Sequence, residues 1–323
     1  MKNYPKNKWN YDAMTLTSLY RNSELDAYPV SVDMPASARK VYGDLRFPES
    51  HDDRAYTAAC FVASVDGKVS FPDRPAGPVV AQANSLDPEG AKADFWLLNL
   101  LRFACDVIIC GAGTLQKEPD GSACLFDQDL EDHRVAHGMQ RAPRLLVCSY
   151  DGTDIPYGDT VFSDLNYMIH TSPDGYDAVQ RGLRHPCYAV GPFADESEAA
   201  EHRDRIIDEF HAHDQKAVPV ILTGRGSTTD AHALLRVLKY FGMDRALVES
   251  PTYTHVLMRG GLLDEIALNC SCLFIGGKAV GFGSTLPSFT ADNHPHSRML
   301  SIHMHSPSFF YFRHRMVYDS PSQ

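Results

Sequence analysis

Three stretches of the sequence end an apolar run in residues that can hold an anion or a polar ligand. In residues 106–114 (DVIICGAGT) the run meets Gly111, Gly113 and Thr114. Glycines at such an exit let the backbone approach a ligand, backbone N–H groups can face a phosphate, and the threonine adds a hydroxyl. The spacing is neither GxGxxG nor the Walker pattern, so a phosphate loop and a plain tight turn both stay open. In residues 218–230 (VPVILTGRGSTTD) the run ends in Thr223, Gly224, Arg225, Gly226 and Ser227, a flexible backbone with hydroxyls and one cation suited to phosphate. The same stretch also reads as an ordinary loop whose Asp230 caps the next helix. In residues 246–258 (ALVESPTYTHVLM) Glu249, Ser250, Pro251 and Thr252 stand at a strand-to-helix junction. Unpaired N–H groups of a helix start favour an anion there, with Glu249 as a charge near the mouth.

Two other patterns are weaker. Residues 64–68 (SVDGK) can be a functional loop or a simple Asp-Gly turn. The fifteen histidines, especially His294, His296, His303 and His305 with His211 and His213 further back, lack the Cys or carboxylate pattern of a closed zinc site. No metal is expected, and the hairpin histidines are read as solvated. The eight cysteines are scattered, several inside apolar runs, and are read as reduced and structural. CxxC and GxSxG are absent, which removes the usual local marks of zinc deaminases and serine hydrolases.

The elements that must position these residues follow from periodicity. Near-continuous apolar runs at 56–62, 107–110, 144–148, 166–170, 218–222, 245–248 and 265–268 read as strands covered on both faces. Helical spacing at 88–103 and 230–241 supplies sheet-covering helices. Residues 299–318 alternate as two strands around Ser306-Pro307-Ser308, a closing antiparallel hairpin. Residues 1–50 are polar and Pro-punctuated and read as an N-terminal extension, leaving 51–323 as the main domain. In such α/β sheets ligands collect beyond the carboxyl ends of strands, so the three exits are expected to share one crevice.

Taken in order, ASVDGKVS, LLRFACDVIICGAGTL with Glu118-Pro119, PRLLVCS, LVESPT, GGLLDEI and FIGG resemble the reductase domain of riboflavin biosynthesis. The resemblance runs from about residue 55 to 277 and on to the closing hairpin. It implies a dihydrofolate-reductase-like fold, a three-layer α/β/α with a central mixed, mostly parallel sheet. It further implies an NADPH-dependent reduction of a phosphoribosylamino-pyrimidine, with the cofactor carrying the hydride and the protein supplying position and electrostatics. By motif position, Val62, Thr114, Glu118, Ser149, Ser250, Pro251 and Thr252 are the implied cofactor contacts, joined by Gly111 and Gly113 on the phosphate-loop reading of their turn, and Arg102 and Glu249 are the implied substrate contacts. A homodimer is implied too, with the aromatic segment Phe309, Phe310, Tyr311 and Phe312 either forming its interface or filling the monomer core.

Three departures bear on the substrate. Cys60 stands where the family usually has a lysine. Glu249-Ser250-Pro251 is one residue shorter than the family's Glu-Gly-Gly-Pro loop. The Ser and Trp that often follow the first turn are not evident in FPDRPAGPVVAQANS. A noncatalytic nucleotide-binding homologue, or a reductase of a different pterin-like substrate, is the alternative reading. Residues 1–50 carry no HxE or PCxxC pattern of a fused deaminase.

A net charge of -11 argues against nucleic acid or an anionic membrane as partner, since a broad phosphate-binding face needs surplus Lys and Arg. No window approaches the roughly 20 apolar residues of a membrane helix, and the polar start lacks a signal peptide's apolar core. A cytoplasmic protein acting on a small molecule is expected.

Overall fold

The computed structural model describes residues 5–119 and 123–318. All seven apolar runs form strands, and both helical patterns form helices, Pro88–Ala104 and Ala231–Tyr240. In chain order the strands are β1 (Thr17–Arg21), β2 (Val30–Ser31), β3 (Arg46–Phe47), β4 (Tyr56–Ser64), β5 (Val107–Gly111), β6 (Arg144–Cys148) and β7 (Tyr167–Thr171). They continue as β8 (Cys187–Phe193), β9 (Val218–Thr223), β10 (Arg245–Val248), β11 (Glu265–Ser271), β12 (His296–Ser306) and β13 (Phe309–Val317).

One eleven-stranded sheet runs β1-β12-β13-β11-β4-β10-β5-β6-β7-β9-β8. From β11 to β8 every pairing is parallel, and β13, β12 and β1 add antiparallel pairs at one edge. The mostly parallel mixed sheet and the closing hairpin are those expected. β1 was not foreseen: the N-terminal extension lends the sheet its edge strand.

Alternation along the strands divides the interior in two. Ala58, Cys60 and Val62 of β4, with Ile108 and Cys110 of β5, join Trp96, Leu97 and Leu100 of the long helix in one core. Ala59, Val107 and Ile109 point the other way, to Leu234, Leu235 and Leu238. Period two on strands sandwiched by helices therefore yields three layers. The long helix starts at Asp87, whose carboxylate accepts from the Gly90 N–H at 2.8 Å, with Pro88 pre-set for the first turn. In the hairpin, Phe309 and Tyr311 are core residues, while Phe310 and Phe312 alternate onto the opposite face and stay half-buried. Among the described residues no helix is long and apolar enough to cross a membrane.

Candidate active site

At the carboxyl ends of β4, β10 and β5 a cavity of 510 Å³ opens on the side of the long helix. That is within the usual size of small-molecule sites. Its sheet wall carries Cys60, Val62, Ile108 and Cys110, the residues that alternation turns to this face. The opposite wall is the long helix, which presents Asp94, Leu98 and Arg102 at four-residue intervals, one stripe of a helix. Thr114 and Glu118 come from the helix Ala112–Lys117 and its end, and Glu249 and Pro251 from the junction after β10.

Arg102 and Glu249 meet each other. The guanidinium donates from Nε to Oε1 at 2.7 Å and from Nη2 to Oε2 at 2.6 Å, a two-pronged pair, and Nη1 donates to the Cys124 carbonyl at 3.1 Å. Burial alone would lower the Arg102 pKa, but the Glu249 carboxylate outweighs it and holds the guanidinium charged. Sequence reasoning had both as separate substrate contacts; here part of the fork is already filled by the other.

Glu118 accepts from the Gly77 N–H at 2.8 Å, which ties the loop after the first turn to the cavity rim. Burial raises its pKa, against the stabilising effect of that N–H. The Cys60 thiol is held well above its ordinary value by burial first and by the nearby Asp94 and Glu249 charges second, so it is neutral.

Asp94 escaped the sequence reading. It lies in the cavity wall, accepts from the Asn269 amide at 2.7 Å, and is pushed by burial to about 7 while the amide pulls the other way. No cation enters that balance. The signal was present: a lone carboxylate inside the apolar helix ADFWLLNLL, two turns before Arg102 on the same stripe.

The other motif residues stand behind the wall. Gly111 caps the helix Ala112–Lys117 with a negative φ, so strand runs straight into helix and the plain tight turn is set aside. Its hydrogen faces Ser250, whose Oγ would lie 2.9 Å from a Cβ there, so the exits of β5 and β10 touch directly. The strand-to-helix junction is there as expected, and Ser250 caps the helix through the Tyr253 N–H at 3.3 Å, so one of the helix-start N–H groups read as free is already taken. Gly113 and Thr252 are exposed and outside the cavity lining. Ser149 organises its own loop, accepting from the Gly152 N–H at 2.9 Å and bonding the Asp154 carboxylate.

The third exit does not join the crevice. Thr223 is locked between His170 at 2.8 Å and the Asp230 carbonyl at 2.8 Å, Asp230 caps the next helix, and none of residues 223–227 lines the cavity. Two strands, β6 and β7, separate β9 from β5, a gap of about 14 Å at normal strand spacing. The hairpin histidines are not uniformly solvated either. His303 is buried with its ring 4.5 Å from that of Tyr42, and burial lowers it to about 4. His305 bridges Asp87 and the Ala13 carbonyl. The Asp66-Gly67 turn is structural: Asp66 accepts from the Ile275 and Gly276 N–H groups at 3.1 and 2.7 Å.

No family model matches the sequence, and no curated protein matches it. Solved structures do match. A pyrimidine reductase-like protein of Corynebacterium diphtheriae is 17% identical, with a TM-score of 0.58 over 87% of this chain and 98% of the other. RibD of Acinetobacter baumannii is 12% identical, TM-score 0.51, with 82% of this chain aligned to 59% of that protein. The diaminohydroxyphosphoribosylaminopyrimidine deaminase/5-amino-6-(5-phosphoribosylamino)uracil reductase of Thermotoga maritima is 13% identical, TM-score 0.50, over 81% and 56%. The chain thus spans a little over half of the two longer proteins. At these identities the likeness is one of fold: the chain has the architecture of the riboflavin-biosynthesis reductases that its motifs resemble.

Proposed function

We propose that this protein is an NADPH-dependent reductase of a small heterocyclic substrate, of the pyrimidine or pterin kind. The observation that carries the reading is the single cavity in which motif residues from three separated segments, Val62, Thr114 with Glu118, and Glu249 with Pro251, converge opposite Arg102. The donor set fits a nicotinamide nucleotide. Val62, Ile108 and Leu115 offer an apolar face to a planar ring, while Thr114, Lys117 and the capped helix start at Pro251 offer polar groups. A reduced nicotinamide, when bound, supplies a hydride.

The chain's own residues do the rest. Reduction of a C=N or C=O group needs a proton as well as a hydride, and Asp94, protonated up to about pH 7, is the carboxyl in the wall placed to give one up near neutral pH, whereas the Cys60 and Cys110 thiols hold theirs far more tightly. Arg102, fixed by Glu249, sets a charge at one position, and its remaining N–H groups can orient an electron-rich substrate edge. With neutral Cys60 beside Asp94, this end of the cavity suits an uncharged substrate group, a departure from a site with a lysine there. The homodimer belongs to the same reading: Phe310 and Phe312, stacked 6.2 Å apart on the outward face of β13, are its contact, and light scattering returning a monomer mass would remove it.

Titration with NADPH and separately with NADH, followed by thermal stability, tests the proposal, because a ligand of the native state stabilises it by mass action. NADPH is expected to raise Tm and NADPH oxidation to follow with a pyrimidine or pterin substrate, both weakened in Arg102→Ala and Thr114→Ala. No shift with either nucleotide at about 1 mM would sink the reading, since weak binding in that range still registers.

A further inference from the structure

Asp33, in the segment after β2, meets two histidines of the helix Gln128–Ala136 and its end. His133 and His137 are one turn apart, and their rings stack with centroids 4.1 Å apart. The Asp33 Oδ2 atom lies 3.4 Å from His133 Nε2 and 3.1 Å from His137 Nε2, and the three ligand atoms lie within 4.8 Å of one another. Ligands about 2.0–2.1 Å from a tetrahedral ion stand about 3.3 Å apart, so both separations match a tetrahedron's edge.

Two further observations point to a ligand. His133 Nε2 is buried and has no hydrogen-bond partner, although a carboxylate oxygen is 3.4 Å away. An orphaned buried nitrogen is costly unless something else satisfies it. His137 is held from behind: its Nδ1 donates to the His133 carbonyl at 2.7 Å, so in the neutral ring the lone pair sits on Nε2, the atom 3.1 Å from Asp33. That backbone bond on the far nitrogen is the usual support of a metal-bound imidazole. The edge of the Phe103 ring, 5.8 Å away, holds the His133 ring in place.

We propose that Asp33, His133 and His137 form a transition-metal site, taking Zn²⁺ or a similar divalent ion through two imidazoles and one carboxylate. The donor set has no thiolate and only one carboxylate, which favours zinc-like ions over magnesium or calcium. Its position gives it a task. The N-terminal segment already lies along this helix through Lys6 to Glu131, Tyr11 to Asp127 and Ser37 to Asp129. Asp127 caps the helix and follows Phe126, which lines the cavity. A bound ion clasps that segment to the helix whose start directly follows the cavity-lining Phe126. The pattern escaped sequence reasoning because HRVAH is a short match among fifteen histidines and its carboxylate lies 100 positions upstream.

The test is calorimetric titration of the full, tag-free, chelator-stripped chain with Zn²⁺, alongside Mg²⁺, with His137→Ala and Asp33→Ala as variants. Both altered side chains are well exposed, and a melting curve recorded without metal checks that each variant folds. The wild type is expected to bind one Zn²⁺, to ignore Mg²⁺, and to lose affinity in each variant by at least the roughly 10- to 100-fold that even outer-sphere substitutions cost. Zn²⁺ should also slow proteolysis within residues 1–50 of the wild type and not of the variants. The free cysteines offer thiolates to zinc elsewhere, so the comparison with the variants decides. Equal isotherms for wild type and both variants, or no Zn²⁺ bound by the wild type at about 0.1 mM, overturn the assignment.

Discussion

Asp94 joins stability to chemistry through one proton. A carboxyl whose folded pKa is about 7 binds a proton in the native state that the unfolded chain, near 3.8, releases over most of the range between. Between about pH 4 and 7 the native state therefore holds more protons than the unfolded state, and stability falls as pH rises through that window. Above pH 7 the full cost of a buried carboxylate is present, at most about 4 kcal/mol by the size of the shift. Asp94→Asn keeps an acceptor for the Asn269 amide and removes the titration. The variant is expected to be more stable than the wild type at pH 8, with the gain shrinking towards pH 4, as measured by urea unfolding at each pH. If Asp94 donates the proton, the same variant loses turnover by roughly 100-fold or more while nucleotide binding is kept. A variant equally active at pH 6 would show that Asp94 is not the proton donor, and one no more stable at pH 8 would show that it is not a strained group. At this scale the sequence disclosed the motif side chains that line the cavity, since each sits in a local run. Asp94 was hidden because its partner, Asn269, arrives from β11, 175 positions later.

The elements explain why two glycines separated by one residue play different parts. Gly111 ends β5 against the β10 exit, and a Cβ there would lie 2.9 Å from Ser250 Oγ, in the cap of the helix Pro251–Arg259. Gly113 sits inside the next helix with nothing within 4 Å of a Cβ and no positive φ. Gly111→Ala is expected to cost about 1–3 kcal/mol as overpacking and to weaken ligand binding by shifting Glu249. Gly113→Ala should be neutral or stabilising by up to about 1 kcal/mol, as alanine is the better helix residue. Chemical denaturation of the two variants reads the contrast, and equal effects would mean that the strand exits are not in contact. The parallel strands were legible because strands covered on both faces are apolar throughout. β8 was not: its burial is mixed, it carries Pro192, and it lies at the sheet edge beside β9 only. β1 is exposed at all five residues, so nothing in its hydrophobicity marks it as a strand.

At the scale of the whole molecule, the polar, proline-punctuated start reads as an extension packed on the main domain, and it supplies part of the core. Met14, Leu16, Met34, Val41, Leu45 and Phe47 belong to the same buried cluster as the long helix. Phe47 lies beneath the Arg313 guanidinium at 5.1 Å, and Arg313 is itself buried and paired with Glu265 on the neighbouring strand. β1 covers the outer edge of β12, which would otherwise present unpaired backbone groups along an exposed strand. Burying Met14, Val41, Leu45 and Phe47 contributes about 1.5–3 kcal/mol each, a total on the scale of the roughly 5–15 kcal/mol that holds a domain together. A chain beginning at residue 51 is therefore expected to aggregate or to lack the cooperative melt and single elution peak of the full chain. That outcome would make the division at residue 50 one of composition and not of folding. A monodisperse truncated protein that melts cooperatively would show instead that the first fifty residues are a separable layer, and that the sheet tolerates β12 as its edge.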